Sequence, residues 1–127
     1  MSTRQSYQYV VLRCVPRVDR EEFVNVGVVL YCEAAEFLAA AWQVDEQRLA
    51  ALDPGLDCLQ VAQALEFVDA VCAGDGRVGA VAGQSPGQRF GFLKAPRSTV
   101  LQTSPVHGGL TTDPPRQLEH LLHQLVG

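Results

Sequence analysis

Arg20-Glu21-Glu22-Phe23-Val24-Asn25-Val26-Gly27-Val28-Val29-Leu30-Tyr31 runs from a charged corner straight into the most strand-like stretch of the chain. Alternation puts Val24, Val26, Val28, Leu30 and Cys32 on one face, and Phe23, Asn25, Gly27, Val29 and Tyr31 on the other. Asn25 is the only Asn in the protein and sits two residues before a Gly. Both residue types weaken strands, so local preference and apolar pattern disagree here, and such conflicts mark a bulge or a site.

Outward from this strand, residues 7–15 form a second apolar run, with Tyr9, Val11 and Val15 on one face and Val10, Leu12 and Cys14 on the other. Arg13 is the exception on the Tyr9 face, and Pro16 stops the run. After residues 33–36, which suit a hairpin loop, residues 37–44 return as a third strand. Asp45 then caps a short helix through Leu49 and Leu52. Asp57, with Gln60 three residues on, opens a longer one that Gly74 ends, with Leu59, Ala62, Leu65, Val68 and Cys72 as its inner stripe.

Residues 75–88 read as a flexible Gly-rich loop without the glycine spacing of a phosphate cradle. Residues 89–94 read as a short helical or extended packing segment, and residues 99–103 as a fourth strand followed by a turn over 106–109. Asp113-Pro114 opens a last helix, striped by Leu118, Leu121, Leu122 and Leu125. The expectation is one α+β domain over residues 1–127, a mostly antiparallel sheet of about four strands with helices packed on it.

At 127 residues and 47% apolar content the chain is long and apolar enough to bury a core. No stretch approaches the ~20 apolar residues of a membrane span. The N-terminus lacks a leading apolar run, which points to the cytoplasm. The net charge of −4 is unevenly spread: +1 over residues 1–32, −8 over 33–76 and +3 over 77–127. That balance disfavours a nucleic-acid binder, though the basic flanks keep the reading open. Cys14, Cys32, Cys58 and Cys72 lack metal-site spacing and read as buried, reduced thiols, with a Cys14–Cys32 redox pair as the alternative. His120 and His123 lack the partners of a metal motif, so no metal or cofactor is expected.

The candidate site residues are Arg13, Arg20, Glu21, Asn25, Arg97, Ser98, Gln102 and His107, with Glu22, Thr99 and Ser104 nearby in sequence. Arg13 and Asn25 meet across neighbouring strands if the pairing is as expected, and a fourth strand in the same sheet would bring Arg97 and Gln102 to them. Guanidiniums bind carboxylate or phosphate in a bidentate way, and His107 would supply an imidazole able to move a proton. The competing reading is structural: Arg20 pairs with Glu21 or Glu22 at a solvated corner, and Asn25 satisfies a bulge. Ser98, Ser104 and His107 lack a nucleophile elbow and an orienting acid, so catalysis has no specific support.

The runs at 9–17, 20–28, 95–102 and 104–107 resemble a bacterial family of domains of unknown function, DUF3037. The resemblance covers nearly the whole chain, and it transfers no activity and no catalytic residues. It implies a small single-domain protein with a protein partner, since some members are encoded beside a HipA-like kinase. The first expectation is therefore a non-catalytic, partner-binding accessory domain. The alternative is a small-molecule or nucleotide-phosphate binding protein, or a hydrolase, using an Arg/Asn/His site on an anionic ligand.

Overall fold

The structure, a computed structural model, describes residues 3–95 and 100–127. Its sheet is antiparallel throughout and has five strands, one more than expected: β1 (Gln5–Cys14), β2 (Val24–Cys32), β3 (Phe37–Trp42), β4 (Leu101–Thr103) and β5 (His107–Thr111). β1 is the centre. β2 and then β3 lie on one side of it, while β4 and β5 follow one another along its other side. Helices α1 (Glu46–Leu52), α2 (Cys58–Ala73) and α3 (Pro86–Leu93) cover one face, and α4 (Pro114–Leu125) lies over β2 and β3 on the other.

The conflict in the opening stretch is a bulge. Leu12 pairs with Gly27 and Arg13 with Asn25, so Val26 is an extra residue in β2. Val26 joins Val24, Val29 and Tyr31 in the core beneath α1–α3, whereas Val28, Leu30 and Cys32 pack toward α4. The unbroken apolar face expected from alternation is therefore divided between two cores at this point. Gly27 is fixed by packing: a Cβ there would lie 2.8 Å from Trp42 Cβ and 2.9 Å from the Ala41 carbonyl oxygen.

The turn expected at residues 106–109 is strand β5. Gly109 lies opposite Tyr7, whose ring folds over it so closely that a Cβ would meet the phenol oxygen at 2.6 Å. The glycine admits the ring, and the ring supplies the packing that glycine lacks. Ser104 bridges the break between β4 and β5: its N–H donates to the Val11 carbonyl at 2.9 Å, and the Val11 N–H donates to Ser104 Oγ at 2.8 Å. The hydroxyl thus replaces a ladder carbonyl just where Pro105 interrupts the edge.

Helix ends follow the local signals. Asp45, Asp57 and Asp113 each accept backbone N–H bonds at an N-cap, and Gly74 takes the left-handed conformation at φ 68° after α2. Arg89 adds a second closure, donating Nη1 to the Val71 and Cys72 carbonyls at 3.0 and 2.6 Å. The inner stripe of α2 is Val61, Leu65, Val68, Val71 and Cys72; Leu59 is 66% exposed. On α4, Leu118 and Leu121 are buried and Leu125 packs against them, while Leu122 lies at the edge of the stripe. Residues 75–88, expected as a loop, hold 3-10 turns over Gly76–Gly83, kinked at Gly79, and the start of α3 under a Ser85/Gln88 capping box. Val81 anchors those turns in the larger core.

Candidate functional site

Arg13 is the hub of the candidate residues. On β1 it stands opposite Asn25 of β2 and opposite Gln102 of β4, and opposed residues of antiparallel strands point to the same face. At the usual strand spacing Asn25 and Gln102 lie about 10 Å apart with Arg13 between them. The bulge extends the grouping, because the chain preceding it brings Phe23 under Arg13: the guanidinium carbon lies 4.3 Å from the ring centroid. Phe23 is 46% exposed. Arg13 forms no ion pair among the described residues, and its buried Nε has no hydrogen-bond partner.

Asn25 has a second duty. Its Nδ2 donates to the Leu125 carbonyl at 3.2 Å, and Arg48 Nη1 donates to the Val126 carbonyl at 2.7 Å. The last turn of a helix leaves carbonyls unpaired and carries partial negative charge, so an amide and a guanidinium there close the end of α4. The lone Asn thus ties the bulge to the last helix. Its Oδ1 is buried without a partner. Val24, Asn25, Gln43, Asp45 and Arg48 are among the residues lining a cleft of about 140 Å³ beside that contact. This cleft is chemically mixed, with Asp45 capping α1 and Arg48 already engaged.

The remaining candidates are spread out. His107 lies opposite Tyr9, its ring 5.3 Å from the tyrosine's, and Tyr9 in turn is 6.0 Å from Tyr7. Four residues of strand separate Tyr9 from Arg13, about 13 Å, so His107 and Arg13 share a face but not a reacting atom. Arg20 forms an ion pair with Glu22 at 2.6 Å in an exposed corner, where Glu21 holds a left-handed backbone at φ 54°. These groups take the solvated-corner role and do not join Arg13. Arg97, Ser98 and Thr99 lie outside the described residues. Ser104, buried and bonded to the backbone of β1, is structural.

The four cysteines are free thiols, three of them buried and Cys58 partly so. Cys14 faces the core under α1–α3 and Cys32 faces α4, from opposite ends of the β1–β2 pair, so the Cys14–Cys32 redox pair is excluded. Burial, with Cys58 and Asp53 adding, pushes the Cys14 thiol up to about 11. Burial and Asp69 push Cys72 up to about 12 against a lowering by Arg89. Among the described residues no group of three His, Cys, Asp or Glu is placed to hold a metal ion. No described helix is long and apolar enough to cross a membrane.

What the strip offers is an open surface. Of the clefts that stand out among the described residues, Asn25 lines one and Arg20 another, and Arg13, Gln102 and His107 line none of them. Sequence reasoning found Arg13, Asn25 and Gln102 but read Phe23 and Tyr9 only as strand residues. The signal for Phe23 lay in its place directly before the bulge. The fold and strip together define a small α+β sandwich with a cationic, aromatic band on one sheet face. A family profile described as "Protein of unknown function (DUF3037)" matches residues 9–126, and the chain belongs to that family. Neither the curated proteins nor the solved structures gave a match.

Proposed function

We propose that this chain is a non-catalytic, cytosolic accessory domain that docks a partner protein through the band formed by Phe23, Arg13, Gln102, Tyr9 and His107. The observation that carries this reading is Arg13: a guanidinium stacked on a half-exposed aromatic ring, with no carboxylate paired to it among the described residues. Arg and aromatic side chains are the commonest energetic anchors of protein interfaces, and an unpaired guanidinium calls for an acidic group from the partner. The absence of a closed pocket around Arg13 among the clefts described favours a flat contact over a small ligand. The separation of His107 from Arg13 weighs against a hydrolytic reading that joins the two. A HipA-like kinase, the partner that the family resemblance implies, is the first candidate.

The test is capture from the source cell with tagged native chain and with the Phe23→Ser/Arg13→Ala double variant, followed by quantitative mass spectrometry. A single protein retained by the native chain and lost by a variant of unchanged melting temperature is the expected result. Equal retention by both forms, or enrichment only of small molecules, contradicts the proposal.

A further inference from the structure

The two edges of the sheet are treated very differently. The β4–β5 edge is short and broken, with Pro105 and the Ser104 bridge at its middle. The β3 edge is Phe37-Leu38-Ala39-Ala40-Ala41-Trp42: six residues in unbroken register with β2, without a charge, a proline or a bulge. Leu38, Ala40 and Trp42 pack into the core beneath α1–α3, and Phe37, Ala39 and Ala41 into the core beneath α4. Yet all six are only half-buried. Among the described residues nothing hydrogen-bonds to the outer edge of this strand. Proteins ordinarily blunt such an edge with charges, proline or a bulge, because its free N–H and C=O groups template another strand.

We infer that the β3 edge is a pairing surface for a second copy of this chain, joining two sheets antiparallel about a two-fold axis at Ala40. Antiparallel neighbours point to the same face, so a two-fold partner must match residues of like parity. Centring on Ala40 sets Ala39 opposite the partner's Ala41 and Leu38 opposite the partner's Trp42. Phe37 then falls opposite the partner's Gln43, and Glu36 opposite the partner's Val44. The centre is small, which lets the backbones approach. The bulky side chains fall at both ends on the faces already apolar, and no acid meets an acid. The sequence is thus complementary to itself, as an isologous contact requires, and pairing two copies uses up the edge in each and closes the assembly. This surface lies on the far side of β2 from the Arg13 band, so it is independent of the partner-docking proposal.

Sedimentation of the purified native chain from micromolar to several hundred micromolar is the first arm, with backbone hydrogen exchange at both ends of that range as the second. The expected result is a species of twice the 13.8 kDa chain mass, with slower exchange confined to β3 amides at high concentration. Leu38→Lys, whose long stem can stay on the apolar surface while its charge lies at the seam, is expected to give a folded monomer. A 13.8 kDa species throughout overturns the inference. So does a dimer whose β3 amides exchange equally at both concentrations. If Leu38→Lys fails to fold, the exchange comparison on the native chain still decides.

Discussion

Replacing Gly27 with Ala adds one methyl group where β2 is flanked by Leu12 of β1 and Trp42 of β3. The new Cβ would lie 2.8 Å from Trp42 Cβ, 2.9 Å from the Ala41 carbonyl oxygen and 3.2 Å from Leu12 Cδ1. Only the leucine methyl can swing aside. The other two atoms are backbone or bonded to it, so β3 must move away or the bulge must reorganise. Overpacking of this kind costs about 1–3 kcal/mol, and fixed neighbours put it near the upper end. Against it, Ala loses less backbone freedom on folding than Gly, which returns about 0.5–1 kcal/mol. The expected net loss is therefore about 2 kcal/mol, or roughly 7 °C in melting temperature for a domain of this size.

Urea titration and differential scanning calorimetry of the variant measure it directly. Gly91→Ala is the control: the same change inside α3, where nothing lies within 4 Å of the added atom, should instead gain about 0.5–1 kcal/mol. A Gly27→Ala protein as stable as the native one would refute the claim that Trp42 and the β3 backbone close over the bulge.

Other outcomes follow from the same packing. Ser104→Ala strands the buried Val11 N–H and should cost about 1–3 kcal/mol in urea melts, whereas Ser104→Thr, which keeps the acceptor, should cost less. Leu121→Asp puts a charge between α4 and the sheet and should destabilise by several kcal/mol, with Leu122→Asp distinctly milder; equal melting temperatures would show that α4 is docked differently. Asp69 accepts from Trp42 Nε1 at 2.9 Å, and burial, with Glu66 adding, holds its carboxyl above the ordinary 3.8 despite that bond. An acid raised in the folded state contributes stability while protonated, fully present below 3.8 and lost as pH rises through the folded value. Asp69→Asn keeps an acceptor for Trp42 and should flatten that part of the stability–pH curve; an unchanged slope would rule Asp69 out as its source.

What could be read in the sequence was what local chemistry decides. Asp45, Asp57, Gly74 and Asp113-Pro114 each act within a turn of their own position, so each helix boundary they set was legible. Asn25 and Gly27 flagged the bulge, but not that it would send Val26 and Val28 into different cores, because the shift depends on the register with β1. Leu59 and Val61 compete for the inner stripe of a helix apolar on both sides, and only the approach of the sheet chooses Val61. Gly108-Gly109 looked like a turn because the Tyr7 ring that makes it a strand comes from the other end of the chain. Arg13 and Asn25 were expected to meet as residues of neighbouring strands, and Gln102 to join them if a fourth strand entered the sheet. Strict alternation, however, groups Asn25 with Gly27 and Val29; the bulge is what turns Asn25 to the face of Arg13 and brings Phe23 under the guanidinium.

Photo-crosslinking in the source cell addresses the central claim at residue resolution. A benzophenone side chain placed at Phe23 or at Gln102 should yield one discrete adduct with the same protein from both positions, and none from Glu66, exposed on α2 away from both the band and the β3 edge. Adducts from Glu66 alone, or no protein adduct at either position of the band, would contradict docking through Arg13 and its neighbours.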